Sequence, residues 1–117
     1  MAAGDHVMDQ GPAGSTGHTG SDKSEPEDRI GRYVHKILGK SAENLDYGHR
    51  RGLEVILSLL VDDGDLWKGH RALMMSPDVV YVGIYSGDHN EFGKMAAFKY
   101  TGPVLITNES LNPTLDP

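Results

Sequence analysis

The stretch "GLEVILSLLVDDG", from Gly52 to Gly64, carries the clearest structural signal in the chain. Its apolar residues recur at intervals of three and four, which predicts a helix with one apolar stripe that ends before Gly64. The predicted stripe consists of Leu53, Ile56, Leu57 and Leu60. Asp62 and Asp63 follow at the C-terminus, where the macrodipole disfavours a negative charge by roughly 0.3–1 kcal/mol. A compensating partner is therefore expected.

Two later segments predict a pair of antiparallel strands. They are "VVYVGIYS", Val79 to Ser86, and "MAAFKYT", Met95 to Thr101, both rich in β-branched and aromatic residues. Their connection, "GDHNEFGK", holds two glycines and exceeds the tightest hairpins in length, so we expect it to project as a loop.

The first part of the chain predicts a loop and then a short helix. Residues Gly11 to Glu27 are rich in Gly, Ser, Thr and Pro, which favours irregular structure around His18. The spacing of apolar residues in "DRIGRYVHKILG" predicts a helix from Asp28 that Gly39 closes.

Composition narrows the function classes. A chain of 117 residues with 38% apolar content fits one domain. Its net charge of −6 argues against nucleic acid as a partner. The longest apolar run, Val55 to Val61, falls far short of the roughly 20 residues that cross a bilayer. The absence of cysteine removes disulfides and thiolate metal sites.

Polar residues occur at four places where local structure does not require them. These are His18, Glu43, the pair Asp62 and Asp63, and His70. Imidazole and carboxylate groups are good ligands for zinc and other divalent metals, but they also form hydrogen-bonded clusters without a metal. No pair follows a compact ligand motif, so both interpretations stay open at this point.

Four segments in order resemble a known family. They are "HTGSDKSEPEDRIGRY", "AENLDYG", "LLVDDGDLWKGHRALMM" and "VGIYSGDHNEFGKMAAFKY". Together they look like the domain shared by cysteine-rich secretory proteins, antigen 5 and plant pathogenesis-related proteins (the CAP, or SCP-like, domain), in its cysteine-poor microbial form. The resemblance runs from about Asp5 to Thr101.

The resemblance implies an architecture. We expect an α+β fold, a three-layer α-β-α sandwich around a small, mainly antiparallel sheet. Residues 1–106 would form an SCP-like domain that lacks the family's first helix, with one sheet face partly uncovered, and residues 107–117 a loose tail. The family implies an extracellular or cell-surface location, although this chain carries no signal peptide.

The resemblance also implies site residues. His18 matches the histidine of the family's "H-x-G-S-D-G-S" loop, with Lys23 in place of a glycine, and Glu43 matches the acid of "G-E-N-x-x-Y-G". His70 matches the "G-H-R" histidine. Asp63 best matches the second acid, with the adjacent Asp62 as the other candidate. His18 and His70 would be the ligands of any zinc or other divalent metal.

In that family the two histidines and two acids line one polar cleft, which implies a function without assigning catalytic residues. We expect a non-catalytic binding domain for a divalent metal, a sterol or a lipid, with a small apolar ligand or another protein as partner. The alternative is a metal-dependent hydrolase or protease that uses a metal-activated water. A third interpretation is structural, in which the four polar groups only hold loops against the sheet.

Overall fold

The computed structural model describes residues 1–62 and 69–105. In this part of the chain, helices and strands alternate irregularly along the sequence. The helices are α1 (Ala2–Ala13), α2 (Pro26–Ile30), α3 (Gly52–Val61) and α4 (Gly69–Met74). The strands are β1 (Lys36–Ile37), β2 (Ser41–Tyr47), β3 (Tyr81–His89), β4 (Gly93–Thr101) and β5 (Val104–Leu105).

The main sheet has three antiparallel strands in the order β2-β4-β3. The central strand β4 is buried from Met95 to Thr101, so it forms the middle of the core. In the register, Lys99 of β4 lies opposite Glu43 of β2 and Gly83 of β3. A separate two-stranded ribbon pairs β1 with β5. The predicted pairing of the two later strands is confirmed.

Helices cover the main sheet on both faces. Successive residues of β4 point to opposite sides, which gives two separate apolar clusters. One joins α1 to the sheet through Ala3, Val7, Leu45, Met95 and Ala97. The other joins α3 to the sheet through Val55, Leu59, Ala96, Phe98 and Tyr100. The predicted α+β class, with an antiparallel sheet between helical layers, is confirmed.

The helix expected from Asp28 to Leu38 was predicted wrongly. Only Pro26–Ile30 is helical, and residues 36 and 37 form β1. The helix begins with proline in its first turn and a capping box between Glu25 and Asp28, and Gly31 follows its last residue. The β-branched Ile37 pairs with Val104 instead of extending the helix.

The helix expected from Leu53 to Leu60 is present, but the predicted stripe is wrong. Val55 and Leu59 are buried, whereas Leu53, Leu57 and Leu60 are exposed. Because α3 is apolar on two sides, the spacing does not decide which side faces the sheet. The helix ends at Asp62, whose left-handed backbone (φ 53°) forms the C-cap, and Gly64 lies outside the described residues.

The connection expected to project as a loop is instead a tight turn. Strand β3 continues to His89 and β4 starts at Gly93. His89 is buried and holds the turn, because its Nδ1 accepts hydrogen bonds from the backbone N–H groups of Glu91 and Phe92. Its Nε2 lies 2.7 Å from the carbonyl oxygen of Ser15 and donates to it.

The segment expected to be irregular from Gly11 begins inside a helix, because α1 continues to Ala13. Two further expectations concern the C-terminal tail and the covering of the sheet. The expected tail, residues 107–117, lies outside the described residues. On the α3 face, Val82 and Ile84 of β3 are about half exposed (52% and 51%), so α3 leaves the β3 side of that face open. None of the helices in the described ranges is long and apolar enough to span a bilayer.

Candidate functional site

The first histidine–carboxylate pair joins the loop after α1 to strand β2. The Nδ1 of His18 lies 2.6 Å from Oε2 of Glu43. A carboxylate only accepts hydrogen bonds, so Nδ1–H donates and the lone pair sits on Nε2. The Glu43 side chain is 1% exposed and the His18 ring 54% exposed. The imidazole is therefore oriented by a buried acid and open to solvent.

Three hydrogen bonds fix the backbone of Gly17, the residue before His18. The carbonyl oxygen of Gly17 accepts hydrogen bonds from Nε2 of His6 and Nε2 of Gln10, both at 2.8 Å. The N–H of Gly17 donates to the hydroxyl of Tyr47 at 3.0 Å. Gly17 has φ 103°, a conformation that favours glycine. Helix α1 and strand β2 thus hold the loop from which the ring of His18 projects.

Glu43 also pairs with two buried cations, and we call Glu43, Arg29 and Lys99 the Glu43 cluster. The guanidinium of Arg29 lies 3.2 Å from Oε1, and the ammonium of Lys99 donates to the same oxygen. Burial alone would raise the pKa of Glu43, but the hydrogen bonds from His18 and Lys99 outweigh it and lower that pKa to about 2. Glu43 is therefore an anion throughout the physiological pH range.

Arg29 connects the Glu43 cluster to the loop. Its guanidinium donates to the carbonyl oxygens of His18 at 2.7 Å and Ser24 at 2.8 Å. Neither Arg29 nor Lys99 was predicted from the sequence to belong to the site. A lysine inside the apolar run "MAAFKYT" was the available signal, because a buried lysine requires an acidic partner.

The second pair joins the end of α3 to the start of α4. The Nδ1 of His70 lies 2.9 Å from Oδ1 of Asp62, and the other oxygen accepts the backbone N–H groups of His70 at 2.8 Å and Arg71 at 3.2 Å. Asp62 is buried. The charge disfavoured at the end of α3 is thus stabilised by the first amides of α4.

The contacts of Asp62 bear on the choice of the second acid. Burial would raise the pKa of Asp62, but the hydrogen bond from His70 and those from the backbone outweigh it and lower that pKa. Asp63, the better sequence match, lies outside the described residues. The structure therefore places Asp62 against His70, whose ring is 39% exposed.

Both pairs are anchored at adjacent residues of β2. Glu43 points toward the α1 layer, whereas the next side chain, Asn44, points toward the α3 layer. Asn44 donates to the carbonyl oxygen of His70 at 3.2 Å and to the hydroxyl of Tyr100 at 3.3 Å. The structure thus brings His18 to Glu43 and His70 to Asp62, on the two faces of one strand, so His18 and His70 do not line one cleft as the resemblance implies. Among residues 1–62 and 69–105, no group of three or more His, Cys, Asp or Glu is arranged to hold a metal ion.

Two further histidines, His6 and His49, have defined partners. His6 is fully buried on α1, and this burial lowers the pKa of its ring, which keeps the imidazole neutral. His49 contacts the buried Asp46 at 2.9 Å. The burial of His6 depends on where α1 docks, which local sequence does not specify.

A groove of about 310 Å³ lies between α3 and strands β3 and β4, and we call it the α3 groove. Its apolar lining includes Val55, Ile56, Ile84, Met95, Ala96 and Phe98. Its basic residues are His49, Arg50, Arg51 and Lys94. His49, Arg50 and Arg51 lie in the connection just before α3, and Lys94 lies at the start of β4 beside Arg50, so these residues share one end of the groove. The sequence did not predict this site.

Comparisons with known proteins add no relative, since no family model, curated protein or solved structure matches the chain.

Replacing Glu43 by Gln should destabilise the protein strongly. The change leaves Arg29 and Lys99 buried without a counter-charge, and breaking a buried pair in this way typically costs about 3–5 kcal/mol. Urea unfolding at neutral pH measures the loss. The exposed Glu27→Gln is the matched control and should change the free energy of unfolding by less than about 0.5 kcal/mol.

The stabilities of the Glu43→Gln and Glu27→Gln variants should also depend on pH in different ways. The pKa of Glu43 falls from 4.5 to about 2 on folding, so its contribution to stability is present above pH 4.5 and is lost as the pH falls toward 2. The Glu43→Gln protein should show a flatter loss of stability across this range. Equal slopes for Glu43→Gln and Glu27→Gln would contradict the assignment.

Proposed function

We propose that the chain is a non-catalytic binding domain of the SCP-like type that holds an apolar ligand with an acidic head group. A single fatty acid is the simplest such ligand. The observation that carries this proposal is the α3 groove, whose apolar walls end at a group of basic side chains.

The walls of the α3 groove favour an acyl chain. Phe98 of β4, Ile84 of β3 and Ile56 of α3 face the same space from three elements. Each methylene group that leaves water for such a surface contributes about 0.8 kcal/mol. Pockets of a few hundred Å³ with mostly apolar walls and a few polar groups are typical of small-molecule sites.

The basic end favours a carboxylate head. Arg50, Arg51 and Lys94 line this groove although the whole chain carries a net charge of −6, and Asp88 offsets part of their positive charge. Lys94 already pairs with Asp88 at 2.6 Å, and Arg50 is exposed beside it. An arginine fork matches a carboxylate in two hydrogen bonds. We therefore assign the head group to Arg50 and favour a fatty acid over a sterol, whose head is a neutral hydroxyl.

Divalent metal binding is the second candidate, because each exposed imidazole is held through Nδ1 by a buried carboxylate. This arrangement leaves Nε2 of His18 and of His70 as the nitrogen available to a metal, as in carboxylate–histidine–zinc sites. Because the two pairs lie on opposite faces of β2, each Nε2 would be a ligand of a separate metal ion, and the described ranges hold no group of three His, Cys, Asp or Glu arranged to bind one. Zinc bound there would act as a Lewis acid.

Binding is favoured over hydrolysis by the state of the two acids. A general base works best with a pKa near the working pH. Glu43 has a pKa of about 2 and already accepts from two cations and an imidazole, and the pKa of Asp62 is also lowered. Both carboxylates are better suited to orienting a histidine than to taking a proton from water.

Replacing Arg50 by Glu should weaken fatty-acid binding without affecting the matching fatty alcohol. A surface charge contact contributes up to about 1 kcal/mol, so the reversal should raise the Kd for a fluorescent fatty acid by about fivefold to tenfold. Fluorescence titration measures both Kd values. Arg32→Glu, on the far side of the sheet beside Asp5 and Asp22, is the control. No uptake of the acid, or an equal effect on acid and alcohol, would contradict the proposal.

If the second candidate is correct, replacing His18 or His70 by Ala should weaken zinc binding at that histidine. Each change deletes the imidazole ligand of one pair, so the affinity of that site, measured by isothermal titration calorimetry, should fall by at least about tenfold. His35→Ala changes an exposed histidine outside both pairs and should leave the affinity unchanged. If all three variants bind zinc alike, the two pairs are not the metal site.

A further inference from the structure

The outer edge of β3 is a long strand edge that the fold leaves open. Strand β3 runs for nine residues, from Tyr81 to His89, and pairs with β4 along one side. Within residues 1–62 and 69–105, no strand pairs with its other side. Backbone N–H and C=O groups along such an edge are a template for another strand.

Nothing along this edge discourages pairing. Residues 79–87, "VVYVGIYSG", contain no charged residue and no proline. Four large apolar side chains of β3 are exposed, and these are Tyr81, Val82, Ile84 and Tyr85. Soluble proteins usually protect an edge with lysine, proline or a covering loop. Here the first charged residue is Asp88, one residue before the strand ends.

The opposite edge of the sheet, β2, is different. Loop residue His18 contacts Glu43 from one face, and α4 contacts Asn44 through the carbonyl of His70 on the other. Four successive residues of β2, from Glu43 to Asp46, are buried. The open edge is therefore a specific feature of β3.

We propose that a second copy of the chain pairs with this edge, antiparallel and about a two-fold axis, to form a continuous six-stranded sheet. A register centred on Ile84 places Tyr85 opposite Gly83 of the second copy, and Val82 opposite Ser86. Aromatic and glycine residues pair well across strands, since the ring covers the space that glycine leaves. Asp88 falls opposite Val80, so no like charges meet.

The β3 edge can pair with the same edge of a second copy because the side chains of the two copies then point to matching faces. A two-fold axis preserves the alternation of side chains, so residues on the α1 face meet α1-face residues of the second copy. The net charge of −6 on each chain opposes association at long range, but the edge itself is neutral. Added salt screens this repulsion, so the dimer should become tighter as the ionic strength rises.

Sedimentation velocity of the full chain over a concentration series tests the proposal. The mass should approach twice the monomer mass as concentration rises, and the transition should move to lower concentration with added salt. Ile84→Lys should keep the chain monomeric, because it places a charge at the centre of the pairing. Leu57→Lys, which alters a similarly exposed apolar residue on α3 (48% against 51%), should leave the dimer intact.

Circular dichroism and hydrogen exchange complete the test. Circular dichroism establishes that the variants fold, and Val82→Lys replaces Ile84→Lys if the latter does not. Hydrogen exchange should show concentration-dependent protection of the β3 amides and none in β2. A chain that stays monomeric at its highest soluble concentration, or a dimer that Leu57→Lys breaks while Ile84→Lys does not, would overturn the proposal.

Discussion

The structure depends on one buried carboxylate, Glu43, which pairs with two buried cations. Arg29 comes from α2 and Lys99 from the central strand, and neither is tolerated in the core without a counter-charge. Because Arg29 also donates to the carbonyls of His18 and Ser24, the charge balance in the core fixes the course of the loop above it. The loop needs no regular structure of its own to be positioned.

This constraint explains how two half-exposed histidines come to flank one strand. Glu43 orients His18 on one face of β2, and the neighbouring Asn44 holds the backbone of His70 on the other, where Asp62 orients its ring. The acids serve mainly to position these rings. The α3 groove lies on the α3 side of the sheet, bounded by Ile56 and Phe98, so the ligand site that we propose is separate from the His18 pair.

Much of the fold was predictable from the sequence. Which residues of α3 and β2 become buried when these elements pack together was not. β-Branched and aromatic residues predicted the two later strands. The resemblance grouped His18 and His70 with two acids in one cleft, whereas the structure pairs His18 with Glu43 and His70 with Asp62 on opposite faces of β2. The buried stripe of α3 was missed because the helix is apolar on two sides. Strand β2 was missed because "SAENLDY" holds three buried polar or acidic residues, two of which, Glu43 and Asn44, have their partners far away in the sequence.

The most direct test of this account is the pKa of the Glu43 carboxyl group in the folded protein, followed by the carbon-13 chemical shift of its side chain during an acid titration. We predict that the carboxyl group stays ionised until the pH approaches about 2, or until the chain unfolds first. A folded protein in which Glu43 titrates near its ordinary pKa of 4.5 would contradict the central role of the Glu43 cluster.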